Sequence, residues 1–331
     1  MKYTYSALIL VLILLVGMLI NIFTGYDNEK GAPVIRKDPA YHFMIVTRDN
    51  NDPFWPRFKE GASAAGLEKN IFVEFIDIPH KDPALIDRAV DRAILSQVDG
   101  IAFQPYDVEM SSKAADKSME AGIPVIIYEN DVYYIPDVPT VGSNSYEIGY
   151  TAGEMAASVS EGQAKIALIV NEPGIYDPRQ YNNIKLQGLL DAVSQYPEVT
   201  LERIYTLDTK MFEVDKLTLS ILTENPDINL IICSDGENTP GVAQVVIDMG
   251  RVGDINIIGF GSMPKTMEYI KEGVIYGTIV ADSYEIGYNT VAQLADLCSG
   301  KKINEVLNSG IYTFTLENIG DYNKIVPDDK W

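Results

Sequence analysis

Ser145-Tyr146-Glu147-Ile148-Gly149-Tyr150 recurs without a change as Ser283-Tyr284-Glu285-Ile286-Gly287-Tyr288. Each copy follows a strand-like run and opens a helical pattern. Ser145 and Ser283 are therefore expected as N-caps, with Glu147 and Glu285 in a first turn where the helix dipole favours negative charge. Similar capping chemistry accounts for the residues but not for their shared placement. Equivalent positions in two pseudo-symmetric lobes account for both, the chain changing lobe just before each copy. A further crossing near Ile311 makes the linkers three.

Around the two copies, short β-branched runs alternate with amphipathic stretches of helix length, the pattern of βα units on a parallel sheet. Strands are predicted at Phe43–Thr47, Phe72–Asp77, Gly100–Gln104 and Pro124–Tyr128, then at Ile166–Asn171, Leu201–Thr206, Asn229–Ser234, Ile255–Phe260 and Val274–Val280. Helices are predicted at Pro56–Lys69, Pro83–Ser96, Glu109–Ala121, Arg179–Gln195, Glu213–Glu224, Thr239–Met249 and Pro264–Glu272, several opened by a proline that suits a first helical turn. The fold class is α/β, with two doubly wound lobes. Residues 41–143 and 283–310 form the first lobe, and residues 144–282 and 311–326 the second.

The N-terminus stands apart. No charge occurs from Tyr3 to Tyr26, and Ala7 to Ile20 is apolar or glycine throughout. A stretch of about 20 mostly apolar residues suffices to cross a bilayer. With no small-x-small cleavage triplet before Gly25, residues 1–26 read as an uncleaved transmembrane anchor in preference to a signal peptide. Lys2 precedes the span while Asp27 and Glu29 follow it, which places the rest of the chain outside the cytoplasm, anchored to the cytoplasmic membrane of the cell envelope. Residues 27–40, with Gly31, Pro33 and Pro39, read as a linker.

Composition narrows the chemistry. The chain of 331 residues carries 47 acidic against 26 basic residues, a formal charge of −21, so nucleic acid is not an expected partner. Only Cys233, Cys298, His42 and His80 offer thiolate or imidazole, the cysteines without metal or redox spacing and read as core thiols. Phosphate-loop, dinucleotide, nucleophile-elbow and zinc-protease motifs are absent, so no enzyme, cofactor or metal is expected.

What remains is polar and aromatic chemistry at strand C-termini, where open α/β sheets bind ligands. The first strand runs out through Arg48, Asp49 and Asp52 to Phe54 and Trp55. Flat aromatic faces beside amides and carboxylates suit a sugar ring, whose C–H face stacks while its hydroxyls need fixed partners. Plugging the core between lobes is the competing role for both rings. The fourth strand ends in Glu129 and Asn130. Arg179 precedes a helix that carries Lys185 on roughly the same face. Asp235 and Asp282 complete the candidate set. Arg48, Arg179 and Lys185 alternatively suit an anionic ligand group.

The segments NNDPFW, VDGIAFQP, AGIPVIIYEND, VGSNSYEIGYTAGE, LIICSDGENTPGVAQ and NIIGFGSMPKTMEYIKEGVIYGTIVADSYEIGY resemble, in order and spacing, the periplasmic sugar-binding protein family of the ribose-binding type. The likeness covers about Tyr41 to Leu316. It implies two Rossmann-like lobes joined by three hinge strands and closing on a small solute. It places Phe54 and Trp55 against the sugar ring. Glu129 and Asn130 fall where the family grips hydroxyls with an Asp-Arg pair, and Lys185 where it has an arginine. Ser234 stands for a usual Asn, Ala281 for a hinge Gln, and Gly261 for a ligand-gripping Asp. Arg48 and the serine-containing loop after Phe260 are mildly similar to autoinducer-2 receptors.

The ligand implied is a sugar, a polyol or an autoinducer-2-like molecule. Two roles follow from the resemblance: capture for an ABC permease, or a membrane-anchored sensor read by a histidine kinase or chemoreceptor. LacI-type repressors share the fold but begin with a DNA-binding element, where this chain has an apolar segment.

Overall fold

A computed structural model describes residues 38–49, 52–79, 84–105, 108–129, 135, 137–170, 184–207 and 213–322. The expected anchor at 1–26, nearly all of the linker, and candidate residues Asn130 and Arg179 lie outside them. Among the described residues no helix is long and apolar enough to cross a membrane.

The first sheet takes β1 (Tyr41–Asp49), β2 (Ile71–Pro79), β3 (Gly100–Phe103), β4 (Val125–Tyr128) and β5 (Thr140–Ser143), with helices α1 (Phe54–Lys69), α2 (Ala84–Leu95) and α3 (Val108–Glu120) between them. The chain then builds α4 (Ser145–Val159), β6 (Gln163–Val170), α5 (Ile184–Val193), β7 (Glu198–Thr206), α6 (Glu213–Glu224) and β8 (Leu230–Cys233). It continues through α7 (Thr239–Asp248), β9 (Asn256–Phe260), α8 (Pro264–Lys271) and β10 (Gly277–Ala281). Last come α9 (Ser283–Cys298), β11 (Val306–Ser309) and β12 (Ile311–Thr315).

Two six-stranded sheets result, in the orders β11-β5-β4-β3-β1-β2 and β12-β10-β9-β8-β6-β7. Strand for strand the orders correspond. The outer strands differ, since β11 lies parallel to β5 while β12 lies antiparallel to β10. Four-residue strands such as β3, β4 and β8 are buried along their whole length, as parallel strands covered by helices on both faces must be. Apolar clusters accordingly lie on both faces of each sheet.

The repeated hexapeptide begins α4 and α9, but its serines are not the caps. Asn144 and Asp282, one residue earlier, accept the Glu147 and Glu285 amide N–H at 3.2 and 2.9 Å. Ser145 and Ser283 are buried inside the first turn instead. The repeat's glycines explain its conservation of shape between lobes. A β-carbon on Gly149 would sit 1.8 Å from the Lys185 carbonyl oxygen, and one on Gly287 would sit 2.0 Å from that of Phe58. The contacts are reciprocal: Gly188 meets the Tyr146 oxygen at 2.1 Å and Gly61 the Tyr284 oxygen at 1.9 Å by the same construction. Each crossing helix is thereby pressed backbone to backbone on the first helix of its own lobe, α9 on α1 and α4 on α5.

Candidate functional site

The C-terminal ends of β1, β3 and β4 open onto the same cleft as those of β8, β9 and β10, around a cavity of about 270 Å³. That is the end of a parallel sheet where ligands bind, presented here from both lobes. Of the candidates, Arg48, Asp52, Phe54, Trp55 and Glu129 line it from the first lobe. Lys185, Ser234, Asp235, Ala281 and Asp282 line it from the second lobe and the crossing. Asp49 closes β1, but its side chain lies outside what is described, as do Asn130 and Arg179.

The first-lobe wall is aromatic. Phe54 stacks on Phe58 with ring centres 5.9 Å apart, and Trp55 meets Phe58 and Tyr128 edge-on at 6.0 and 6.3 Å. Trp55 is only 6% exposed, so most of the indole belongs to the core and one edge to the cleft. Phe54 is half-buried and presents more of its ring. Below them burial raises the Tyr128 phenol well above its ordinary value, and its hydroxyl donates to the Val46 carbonyl.

Asp52 sits where the loop after β1 enters α1, and its Oδ1 accepts the Phe54 N–H at 2.9 Å. Burial pushes its carboxyl above the usual carboxylate value; the Phe54 N–H opposes this and the charge of Asp235, from the other lobe, adds to it. Asp235 in turn accepts the Glu237 N–H at 2.7 Å, which fixes it at the start of α7.

Glu129 lies at φ 48°, a left-handed turn for a non-glycine residue. Its Oε1 accepts from both the N–H and the hydroxyl of Ser143, each at 2.9 Å, tying the end of β4 to the first crossing. Lys185 places its Nζ 5.5 Å from the centre of the Phe260 ring. Gly261 stands at φ 74°, a left-handed turn that glycine adopts freely, and it leaves the cleft without a side chain where the family likeness places an Asp.

Several lining residues were not singled out from the sequence. Gln104 donates from Nε2 to the Glu129 carbonyl at 3.3 Å, while its buried Oε1 has no hydrogen-bond partner among the described residues. Gln104 and Phe260 end predicted strands, so the strand-end rule contained the signal for both. Tyr312 had no such signal. Its hydroxyl donates to Asp282 at 2.7 Å, and the backbone of Gly310 bonds both Asp282 N–H and Glu285 Oε2 at 2.9 Å. The second and third crossings are thus laced together beside the cleft.

Among the described residues no group of three or more His, Cys, Asp or Glu could hold a metal. The thiols are poor nucleophiles: burial pushes buried Cys233 up to about 12 and half-buried Cys298 up to about 11.

A family model described as a periplasmic binding protein domain matches residues 43–302. The D-allose-binding periplasmic protein of Escherichia coli is 19% identical over 275 residues, covering 80% of this chain and 86% of that protein. A D-ribose/D-allose-binding protein of Pseudomonas aeruginosa is 22% identical over 246 residues, covering 71% and 75%. The crystal structure of a glucose-galactose binding protein from Geobacillus stearothermophilus superposes with a TM-score of 0.75 at 26% identity, covering 85% of this chain and 99% of that one.

Proposed function

This chain belongs to the periplasmic binding protein family, and from that premise we propose that it is an extracytoplasmic receptor for a sugar or sugar-like solute, held between the lobes and delivered to an ABC-type permease. The observation that carries the reading is the cleft itself: aromatic faces from one lobe oppose a cation, hydroxyls and a carboxylate from the other. A pyranose or furanose needs that combination, stacking for its C–H face and charged or neutral acceptors for its hydroxyl fan. The volume of about 270 Å³ suits a monosaccharide.

Closure follows as a population shift. A solute touching both walls stabilises only the closed arrangement and shifts the equilibrium by its differential affinity. Phe54 would carry the stacking face and Trp55 an edge of it. Asp52, Lys185, Ser234 and Asp235 would take hydroxyls. Ala281 and Asp282 would meet the solute at the crossing, and Arg48 at the end of β1. A thermal-shift screen of the full chain against pentoses, hexoses, polyols, sugar phosphates and autoinducer-2 tests the reading. A ligand at 100 times its Kd adds about 2.7 kcal/mol, visible as a raised midpoint. A cooperative transition that none of these compounds moves would overturn it.

A further inference from the structure

Each sheet ends in a nine-residue strand with a neighbour on one side only among the described residues, β2 beside β1 in the first lobe and β7 beside β6 in the second. Such an edge offers a row of unpaired backbone N–H and C=O groups, and a chain that is to stay single blocks it with charges or a bulge. The edge of β7 is blocked in this way. It exposes Glu198, Glu202 and Arg203, and its register against β6 slips between Leu201 and Arg203, so that Glu202 is an extra residue that bends the strand. The edge of β2 is not blocked. All nine of its residues keep register with β1, and its one proline, Pro79, only closes the strand.

The two acids of β2 are already met from within its own lobe. Glu74 pairs with Arg92 of α2 and lies 3.0 Å from His42 Nε2, while Asp77 accepts from Lys59 of α1 and from the Thr47 hydroxyl, each at 2.6 Å. The rest of the strand is apolar, and the start of the edge is flanked by apolar groups open to solvent. Leu67 of α1, Phe72 of β2 and Leu95 of α2 are 40, 39 and 84% exposed. Arg92 reaches Glu74, so Leu95, about one turn further along α2, lies towards Phe72. Gly66 packs so closely on Val73 that a β-carbon there would meet its Cγ2 at 2.8 Å, which sets Leu67 beside the other face of the strand.

We propose that the outer edge of β2 is a self-association surface, on which β2 of a second copy of this chain pairs antiparallel about a two-fold axis and joins the two first-lobe sheets. Charge argues for a second copy. At a formal charge of −21, two copies repel one another over most of their surfaces, whereas here each acid is matched by a cation. A two-fold axis through Phe75 sets Phe72 opposite Ile78, Val73 opposite Asp77 and Glu74 opposite Ile76 of the second copy. No acid then faces an acid, and the aromatic and β-branched residues of one strand meet those of the other, the pairs that stabilise antiparallel strands. The contact uses the same edge on both copies, so it closes at two. No residue of β2 lines the cleft, which leaves the solute site of each copy open, and the inference is independent of the solute.

The test is sedimentation equilibrium of the full chain in density-matched detergent, with hydrogen exchange of the β2 amides followed at high and low protein concentration. The expected result is a mass of two chains that falls to one on dilution, and slower exchange in β2 at the higher concentration. Phe72→Lys and Leu95→Lys place a charge on the edge and are each expected to weaken the dimer at least about tenfold, while Thr200→Lys on the edge of β7 leaves it unchanged. Leu95 is so exposed that its variant keeps the fold and reports on association alone. Weakening in either edge variant, together with concentration-dependent protection of β2, sustains the proposal. A mass of one chain at every concentration overturns it and leaves the edge to a partner of another kind, and a mass that rises past two overturns the closed pair. A dimer that survives both edge variants, that Thr200→Lys weakens as much, or whose β2 amides exchange equally fast at both concentrations also overturns it and moves the association to another surface, such as the apolar N-terminal segment.

Discussion

The two lobes share a strand order, a repeated hexapeptide and a reciprocal pair of glycine contacts, yet they put different chemistry on the cleft. The clearest case is a single equivalent position. The carbonyl that receives Gly287 in the first lobe belongs to Phe58; the one that receives Gly149 in the second belongs to Lys185. At one the side chain joins Phe54, Trp55 and Tyr128 in an aromatic wall, and at the other it lays a cation over Phe260. The backbone requirement is common to both lobes, and the side chain above it is not: Phe58 is fully buried behind the aromatic wall, whereas Lys185 lines the cleft. Frame and site are separable, and each can be perturbed without the other.

The frame is the more sensitive. Gly149→Ala and Gly287→Ala each force a methyl to within about the same forbidden distance of a backbone oxygen on a packed helix, which cannot rotate away. Each is expected to cost about 3 kcal/mol or more, after a helix-propensity gain of about 1 kcal/mol is set against the clash. Urea unfolding of the two variants checks this. Equal losses sustain the equivalence of the lobes; a loss in one alone breaks it.

Much of that frame was legible. The identical hexapeptides gave the two lobes because a capped helix after a strand must occur where the chain enters each one. Uninterrupted apolar runs such as Ile166–Val170 and Leu230–Cys233 mark buried strands. The caps were missed by one residue because Asn144 and Ser145, like Asp282 and Ser283, are both good capping types. Burial of the serines against the neighbouring helix decided between them. Strands β5 and β11 are four residues long and contain Gly142 or Asn308, so they carry little apolar signal and depend on their neighbours in the sheet. The glycine contacts join residues more than thirty positions apart, and no local pattern encodes them. At the site, strand ends pointed to Arg48 and Glu129 and the family likeness to Ser234, but the lacing of Tyr312 to Asp282 exists only once the third crossing is folded back.

The aromatic wall comes next. Because Trp55 is 6% exposed, Trp55→Ala opens the core and is expected to cost about 3 kcal/mol of stability as well as affinity. The sequence alone left both roles open for the indole, stacking on a sugar ring or plugging the core between lobes. Half-buried Phe54 is the sharper probe of stacking. Phe54→Ala is expected to weaken the binding of whichever sugar the screen identifies by about thirtyfold, roughly 2 kcal/mol, with a smaller change in melting. Unchanged affinity in that variant would remove the stacking proposal.

On the opposite wall, Lys185→Met preserves the length of the side chain and removes its charge. Its Nζ is a cleft group and its backbone is the frame, so affinity is expected to fall by about five- to tenfold while the unfolding free energy from urea titration stays within about 0.5 kcal/mol of the parent. A large loss of stability would show that the side chain, and not only the carbonyl beneath it, belongs to the frame.

The smallest effect lies at the crossings, where frame and site meet. The Tyr312 hydroxyl is held by Asp282, and that hydrogen bond, with some burial, pushes the phenol from 10.0 up to about 12. A value raised on folding means that the folded protein keeps this proton longer, so the contribution is complete below the ordinary tyrosine value and is lost as pH rises through about 12. Tyr312→Phe removes the hydroxyl and with it the alkaline loss. The variant should therefore be modestly less stable than the parent near neutral pH, and the difference should close as the parent's phenol ionises. Since Asp282 keeps its cap on α9 through the Glu285 N–H, the lobes stay intact in either protein. Urea midpoints measured on both sides of the ordinary tyrosine value decide it. A gap that persists unchanged at high pH would mean that the ring of Tyr312, rather than its bond to Asp282, is what holds the second crossing to the third.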